Sequence, residues 1–230
     1  MLLLFDIDAT LISTSRAGIH ALEAAGRELF GPAFSTSRIE FAGRLDPLII
    51  AELLTQHGQA PTPEAMQAMR RVYGAHLAKR LRDSVGCQAL PGVLALLEQL
   101  RPRTDVTLGL LTGNFAETGS IKLRACGIDP DWFPIRVWGD ESPHSPPART
   151  HLPPIGLRRY EEHHHRRAPG AVIIGDTPHD VACAKAHGLR CLGVGTGQFS
   201  PDDLRRAGAD RAESDLSDTQ SILAWLTHTP

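Results

Sequence analysis

Residues 2–12 read LLLFDIDATLI, and this stretch decides the fold. Four apolar residues, Leu2 to Phe5, are followed by two carboxylates, Asp6 and Asp8, one residue apart. A short apolar run suits a strand buried on both faces, as in a parallel sheet with helices over it. A carboxylate ending such a strand lies where open α/β sheets bind ligands, outside the carboxyl ends of the strands. Side chains alternate along an extended backbone, so Asp6 and Asp8 can point the same way. Two nearby anions repel, and they want a cation, a shared proton or helix N-termini beside them.

The same context recurs further along. Val106 to Leu111, VTLGLL, reads as a second buried strand and runs into Thr112-Gly113-Asn114. Ala171 to Gly175, AVIIG, is another, leading into Asp176-Thr177-Pro178-His179-Asp180. Ile135 to Trp138 and Arg190 to Val194 complete an expected set of about five strands. Helical stretches separate them: Pro91 to Leu100, a segment closing at Gly127, Pro154 to His164, and one opened by Thr177-Pro178 and ended by Gly188. Strands alternating with helices predict α/β architecture, a Rossmann-like parallel sheet with helices on both faces.

Between the first strand and Leu90 the rhythm is purely helical. Ile19, Leu22, Gly26, Leu29 and Phe30 recur at helical spacing until Gly31-Pro32. Asp46-Pro47 reads as an N-cap and first-turn proline, followed by the stripe Ile49, Ile50, Leu53, Leu54. Thr62-Pro63 repeats the start signal ahead of Met66, Met69, Tyr73, Leu77 and Leu81. Residues 14–86 are therefore expected to form a small all-α module inserted after the first strand. Residues 1–13 and 87–230 would form the α/β core.

Composition narrows the function. A chain of 230 residues holds one good core plus a smaller module. A net charge of −2 advertises no nucleic-acid surface. No apolar run reaches membrane-spanning length, and the N-terminus, interrupted by Asp6 and lacking a basic leader, reads as a strand rather than a signal peptide. Cys87, Cys126, Cys183 and Cys191 form no CxxC and no zinc spacing; they read as reduced thiols of a cytoplasmic protein. His163-His164-His165 lie on consecutive helical positions that point in different directions, a solvated surface rather than a metal site.

Asp6 and Asp8, Thr112-Gly113-Asn114, and Asp176 and Asp180 each follow an apolar strand, so in a parallel sheet they can converge along one edge. Several carboxylates around one point suit Mg²⁺, a hard cation that takes oxygen ligands. A hydroxyl and loop amides at a helix N-terminus suit phosphate oxygens.

In their order, DIDAT, LLTGN and GDTPHD resemble motifs one, two and four of the haloacid dehalogenase superfamily, and the helical insert resembles that superfamily's C1 cap. The resemblance covers essentially the whole chain. It implies a Mg²⁺-dependent phosphatase acting on a small phosphorylated metabolite, similar to phosphoglycolate phosphatases, with no nucleic-acid or membrane partner, working as a monomer or homodimer. Asp6 would be the nucleophile that forms an aspartyl-phosphate, and Asp8 the acid that protonates the leaving alcohol and then activates water. Asp6, the Asp8 carbonyl and Asp176 would hold Mg²⁺, with Asp180 behind them. Thr112 would hold the phosphate with the Gly113 and Asn114 amides, and Thr10 would brace the loop. Two other readings are a phosphomutase similar to β-phosphoglucomutase and, from another class, a non-catalytic phospholigand-binding module.

The chain departs from the family pattern twice. Ala9 stands where the family usually has Gly, which touches loop geometry. The third motif, usually a Lys before a Pro after the third strand, has no Lys here; Arg149, ahead of Leu152-Pro153-Pro154, matches the place and offers a planar fork for phosphate. Lys122 is the rival, read as too far along its helix. Arg44, between two helices of the insert, is the candidate for substrate specificity.

Overall fold

The structure, a computed structural model, describes residues 1–83 and 86–228. Positions 84 and 85 of the expected insert and 229 and 230 of the expected core lie outside the described residues. In chain order the elements are β1 (Leu2–Phe5), β2 (Ile12–Ser13), α1 (Ala17–Phe30), α2 (Asp46–Gln56), α3 (Pro63–Asp83), β3 (Gln88–Ala89), α4 (Val93–Leu100), β4 (Thr107–Leu111) and α5 (Ala116–Ala125). They continue with β5 (Ile135–Val137), α6 (Pro153–His164), β6 (Ala171–Gly175), α7 (Pro178–Ala186), β7 (Arg190–Val194), α8 (Pro201–Ala207), β8 (Arg211–Glu213) and α9 (Thr219–Thr227).

β1 lies inside the sheet, between β4 and β6. Leu3 and Phe5 enter one apolar cluster with α4 and α9, while Leu2 and Leu4 enter another with α6 and α7. Alternate side chains of one fully buried strand thus feed two cores, which is why the run is apolar without a break. Each such buried side chain is worth roughly 1.5–3 kcal/mol relative to exposure. The sheet has the order β5-β4-β1-β6-β7-β8, and every pairing in it is parallel. The chain steps outward from β1 through β4 to β5, then returns to the other side of β1 at β6. That reversal makes the crevice at the carboxyl ends of β4, β1 and β6 a topological switch point.

The sheet has six strands rather than the expected five. The additional one, β8, is an edge strand in which only Ala212 is buried, and Arg211 and Glu213 pair with each other at 2.7 Å. A charged edge leaves no apolar run to read.

α1, α2 and α3 pack around a cluster of their own that includes Leu22, Phe34, Ile50, Leu53, Met69 and Tyr73. β2 and β3, two residues each, pair antiparallel where the chain leaves the sheet and returns. From the sheet side, Phe115 sits in the cluster of the insert, and Ile121 of α5 packs against it. Arg70 of α3 lies 4.0 Å above the Phe115 ring and forms ion pairs with Glu117 at 2.5 Å and Asp140 at 2.7 Å. The inserted helices are thereby docked on the segment that follows β4.

Candidate active site

The loop after β1 is a tight turn. The amides of Leu11 and Ile12 both donate to the Ile7 carbonyl, and Ala9 adopts a φ of 56°. A left-handed backbone costs a residue with a Cβ about 1–2 kcal/mol, which is the physical meaning of Ala at a family glycine position. The turn leaves Asp6 buried and Asp8 partly exposed.

Asp6 faces a guanidinium. Arg149 Nη2 lies 3.0 Å from Asp6 Oδ1 and 2.6 Å from Asp180 Oδ1, and Arg149 Nη1 donates to the Gly43 carbonyl of the insert at 3.3 Å. Arg149 is buried, and its Nε has no hydrogen-bond acceptor among the described residues. Burial pushes the Asp6 carboxyl up to about 6, against the pull of Arg149. The opposing carboxylates hold Arg149 above its ordinary value despite burial, the largest single influence on it.

Asp8 faces a different cation. Lys122 Nζ is 2.7 Å from Asp8 Oδ2 and 2.6 Å from Asn114 Oδ1. Asn114 Nδ2 donates to Asp8 Oδ2 at 2.9 Å and to Thr112 Oγ1 at 2.8 Å. The Asn114 side chain therefore joins the hydroxyl after β4 to both members of the Asp8–Lys122 pair. Lys122 is not too far away: α5 starts at Ala116, only six residues earlier. That is about 9 Å of helix rise, and helical side chains lean back toward the N-terminus. Burial pulls the Lys122 ammonium down, but Asp8, Tyr73 and Asp46 together raise it above its ordinary value.

Asp6, Asp176 and Asp180 present carboxylate oxygens that all lie within 4.8 Å of one another. Asp180 also accepts from the Thr177 amide and hydroxyl, closing a capping box on α7, so one of its oxygens is committed to that helix. Thr10 Oγ1 donates to Asp176 Oδ1 at 3.3 Å. Burial first, then Asp180 and Asp6, push the Asp176 carboxyl up to about 8. Such crowding, short of positive charge, is the environment a divalent cation relieves, so the donor set fits Mg²⁺.

Thr112 and Asn114 are buried, and the Gly113 amide has no partner among the described residues. The insert reaches this loop directly. The Asp46 amide donates to the Gly113 carbonyl at 2.8 Å, and a Cβ on Gly113 would lie 2.0 Å from the Arg44 carbonyl oxygen. Asp46 does not cap its own helix: it is the first residue of α2, after Leu45 at the N-cap. Its Oδ2 instead accepts from the Phe115 amide at 3.3 Å, at the N-cap of α5, which has no side-chain cap of its own. Burial pushes this carboxyl up to about 6. Sequence reading misses the role because the served residue, Phe115, is 69 positions away; the Asp-Pro signal marks only the local helix.

Asp6, Asp8, Thr112, Lys122, Arg149 and Asp176 all line one cavity of about 320 Å³ beneath the insert. Arg44 also borders it, but its guanidinium pairs with Glu52 at 2.6 Å and donates to the Glu40 carbonyl, both in the insert.

Fold and site together define an α/β protein with a carboxylate-rich crevice at its strand ends and a helical unit inserted above it. The family model of haloacid dehalogenase-like hydrolases matches residues 3–194, and the chain belongs to that family. It is similar to a phosphoglycolate phosphatase of Yersinia pestis, 25% identical over 195 residues covering 83% of this chain and 78% of that protein. It is 28% identical to the probable phosphatase IndB of Dickeya dadantii over 207 residues, 90% of this chain and 86% of the other. CbbY from Rhodobacter sphaeroides, solved in complex with phosphate, superposes with a TM-score of 0.75 at 22% identity, covering 94% of this chain and 95% of that one. No helix among the described residues is long and apolar enough to cross a membrane.

Proposed function

We propose that the protein is a Mg²⁺-dependent phosphatase that hydrolyses a phosphate monoester of a small metabolite through an aspartyl-phosphate. The observation that carries this reading is the separate pairing of two carboxylates on one cavity, Asp6 with Arg149 and Asp8 with Lys122. A nucleophile and an acid–base group need different surroundings, and here each has its own buried cation.

In this reading an Asp6 oxygen attacks phosphorus while the bond to the leaving oxygen breaks, and Asp8 gives that oxygen its proton. Asp8, now a carboxylate, takes a proton from water, whose oxygen attacks phosphorus and releases Asp6. Asp6, Asp176 and the Asp8 carbonyl would hold Mg²⁺, with Asp180 behind them; the cation would offset charge on the transferring phosphoryl group. Thr112 Oγ1, the free Gly113 amide, the Asn114 amide and the orphaned Arg149 Nε would take phosphate oxygens. The helices of residues 14–86 would act as a cap that excludes water. The named activities of the Yersinia pestis and Dickeya dadantii relatives support the same reaction class.

The test is release of inorganic phosphate from a panel of phosphorylated metabolites, with and without Mg²⁺, by the parent protein and by Asp6→Asn. Release that persists in Asp6→Asn would overturn the nucleophile. A product isomer in place of free phosphate would turn the reading to a phosphomutase.

A further inference from the structure

Two cysteines far apart in the sequence meet where the insert joins the sheet. The chain leaves through β2 and returns through β3, so both covalent connections of the insert run through this short ribbon. Ser13 pairs with Gln88, the Leu90 amide donates to the Leu11 carbonyl at 3.0 Å, and Ser15 Oγ donates to the Gly86 carbonyl at 3.1 Å. Cys87 stands directly before β3. It packs against the apolar cluster of β1 and α4 and also against the cluster of the insert.

Cys126 reaches the same place from the core. It is the C-cap of α5, and its amide donates to the Lys122 carbonyl one turn back at 3.2 Å. Its Sγ donates to the Ser13 carbonyl of β2 at 3.7 Å, and its side chain shares a hydrogen bond with that of Cys87. Both residues carry thiols; Cys87 is half-buried and Cys126 is buried. Burial first, then Cys87, push the Cys126 thiol up to about 12, so it is protonated at neutral pH and a poor first nucleophile. Cys183 and Cys191 are buried in the other core cluster, with α6 and α7. Neither Cys87 nor Cys126 borders the cavity, and the phosphatase reading gives them no part.

We propose that Cys87 and Cys126 form a peroxide-sensitive dithiol site, whose oxidation to a disulfide ties the ribbon of the insert to the helix that carries Lys122. The half-buried Cys87 meets the oxidant. Its thiolate attacks one oxygen of hydrogen peroxide, the O–O bond breaks, and hydroxide leaves Cys87 as a sulfenic acid. That hydroxide takes up the proton released when Cys87 ionised. The Cys126 sulfur then attacks the Cys87 sulfur, and the S–O bond breaks. The departing hydroxide takes the Cys126 proton. Two thiols are oxidised to one disulfide, and one peroxide is reduced to two waters. Residues at the joints of a moving unit absorb its displacement, and a covalent tie at Cys87 removes that freedom. The disulfide stands independently of the phosphatase reading; its effect on turnover rests on that reading.

The experiment treats the folded, reduced protein with hydrogen peroxide and maps its thiols by mass spectrometry after non-reducing digestion. The expected result is an intramolecular link between Cys87 and Cys126, reversed by dithiothreitol, with Cys183 and Cys191 still thiols. Cys87→Ser should lose the link without gaining another. Cys126→Ala should leave Cys87 as a sulfenic acid that dimedone traps. Oxidation first at Cys183 or Cys191, a Cys87 link between two chains, or a Cys87 sulfinic acid as the sole product of the parent protein overturns the dithiol site. Phosphate release is measured on the same samples. Oxidation should lower it at least about fivefold in the parent protein, dithiothreitol should restore it, and Cys87→Ser should be indifferent to peroxide. A complete link with unchanged release overturns the tie on the insert. A link in a protein that releases no phosphate, reduced or oxidised, leaves the dithiol site standing and sinks the phosphatase reading; release with no link does the reverse.

Discussion

Lys122 Nζ lies 2.7 Å from Asp8 Oδ2, while Arg149 Nη2 lies 3.0 Å from Asp6 Oδ1. The two cations that compete for one motif position in the sequence are both buried at the site, on different carboxylates. Replacing Lys122 by Met should therefore damage Asp8 chemistry. With p-nitrophenyl phosphate, whose leaving group needs no proton, nitrophenolate should appear in a burst of one equivalent and then slow. With an alkyl phosphate there should be no burst, and kcat should fall by about 10²–10⁴. Rapid-quench measurement on both substrates checks this; equal steady rates without a burst would place Lys122 elsewhere in the reaction.

Arg149 bridges Asp6 and Asp180 and touches the Gly43 carbonyl. Arg149→Ala would strand two buried carboxylates, and breaking such a buried pair costs about 3–5 kcal/mol. Arg149→Lys keeps the charge but loses the fork, so a single ammonium cannot serve both acids and a phosphate oxygen. The expected outcome is a lower Tm for Ala than for Lys, with vanadate inhibition weakened at least tenfold in both. Unchanged vanadate inhibition in Arg149→Lys would remove Arg149 from the phosphate site.

The reading of Asp176 as a metal ligand predicts a pH-dependent affinity. Its carboxyl is pushed up from 3.8 to about 8, so below that pH the folded chain holds a proton that the unfolded chain has released. Without metal, stability from this group declines as pH rises from about 4 toward 8. Mg²⁺ has to displace that proton, so its apparent affinity should rise with pH, by up to about tenfold per unit, and level off above about 8. Melting curves in chelator and across a Mg²⁺ titration at pH 6, 7 and 8.5 give both slopes. An affinity that does not change with pH would mean Asp176 is not a ligand.

The strands that place the site are legible because β1, β4 and β6 are buried on both faces and so must be unbroken apolar runs. Asp6 and Asp176 are legible because each directly follows such a run, and Asp8 and Asp180 because they lie in the loop or helix start just beyond. What escapes sequence reading is carried by reach and by distance along the chain. Lys122 reaches Asp8 from nearly two turns along its helix through a long side chain, and Asp46 serves a helix other than its own. β2 and β3 are too short for a pattern, and β8 is polar because it is an edge. Arg44, expected from its place between two helices, does border the cavity, where its guanidinium also pairs with Glu52 at 2.6 Å.

Asp46 couples the insert to α5. Asp46→Ala removes the acceptor of the Phe115 amide, and loss of a helix cap costs about 0.5–2 kcal/mol. Because α5 carries Lys122, the loss should also appear as reduced kcat on an alkyl phosphate, partly restored in Asp46→Asn, which keeps an acceptor oxygen. Differential scanning calorimetry with steady-state kinetics tests both; a stability loss with full kcat would limit Asp46 to the helix.

Gly113 offers the sharpest test of whether the insert must sit on the loop after β4. Its carbonyl accepts from the Asp46 amide at 2.8 Å, and a Cβ there would lie 2.0 Å from the Arg44 carbonyl oxygen and 2.9 Å from the Arg44 carbonyl carbon. Those neighbours are backbone atoms, which cannot rotate aside as a side-chain tip would. Gly113→Ala must therefore push residues 44–46 away from residues 112–114, at a packing cost of about 1–3 kcal/mol. The displacement would also lengthen the Asp46–Phe115 contact and open the cavity above Asp6. Gly113→Ala should fold with a reduced Tm and lose at least about tenfold in kcat/KM. Combined with Asp46→Ala it should lose little more, because the two changes break the same contact. Additive losses in the double variant would show that the two residues act separately, and parent-like activity in Gly113→Ala would show that the loop tolerates an insert held further off.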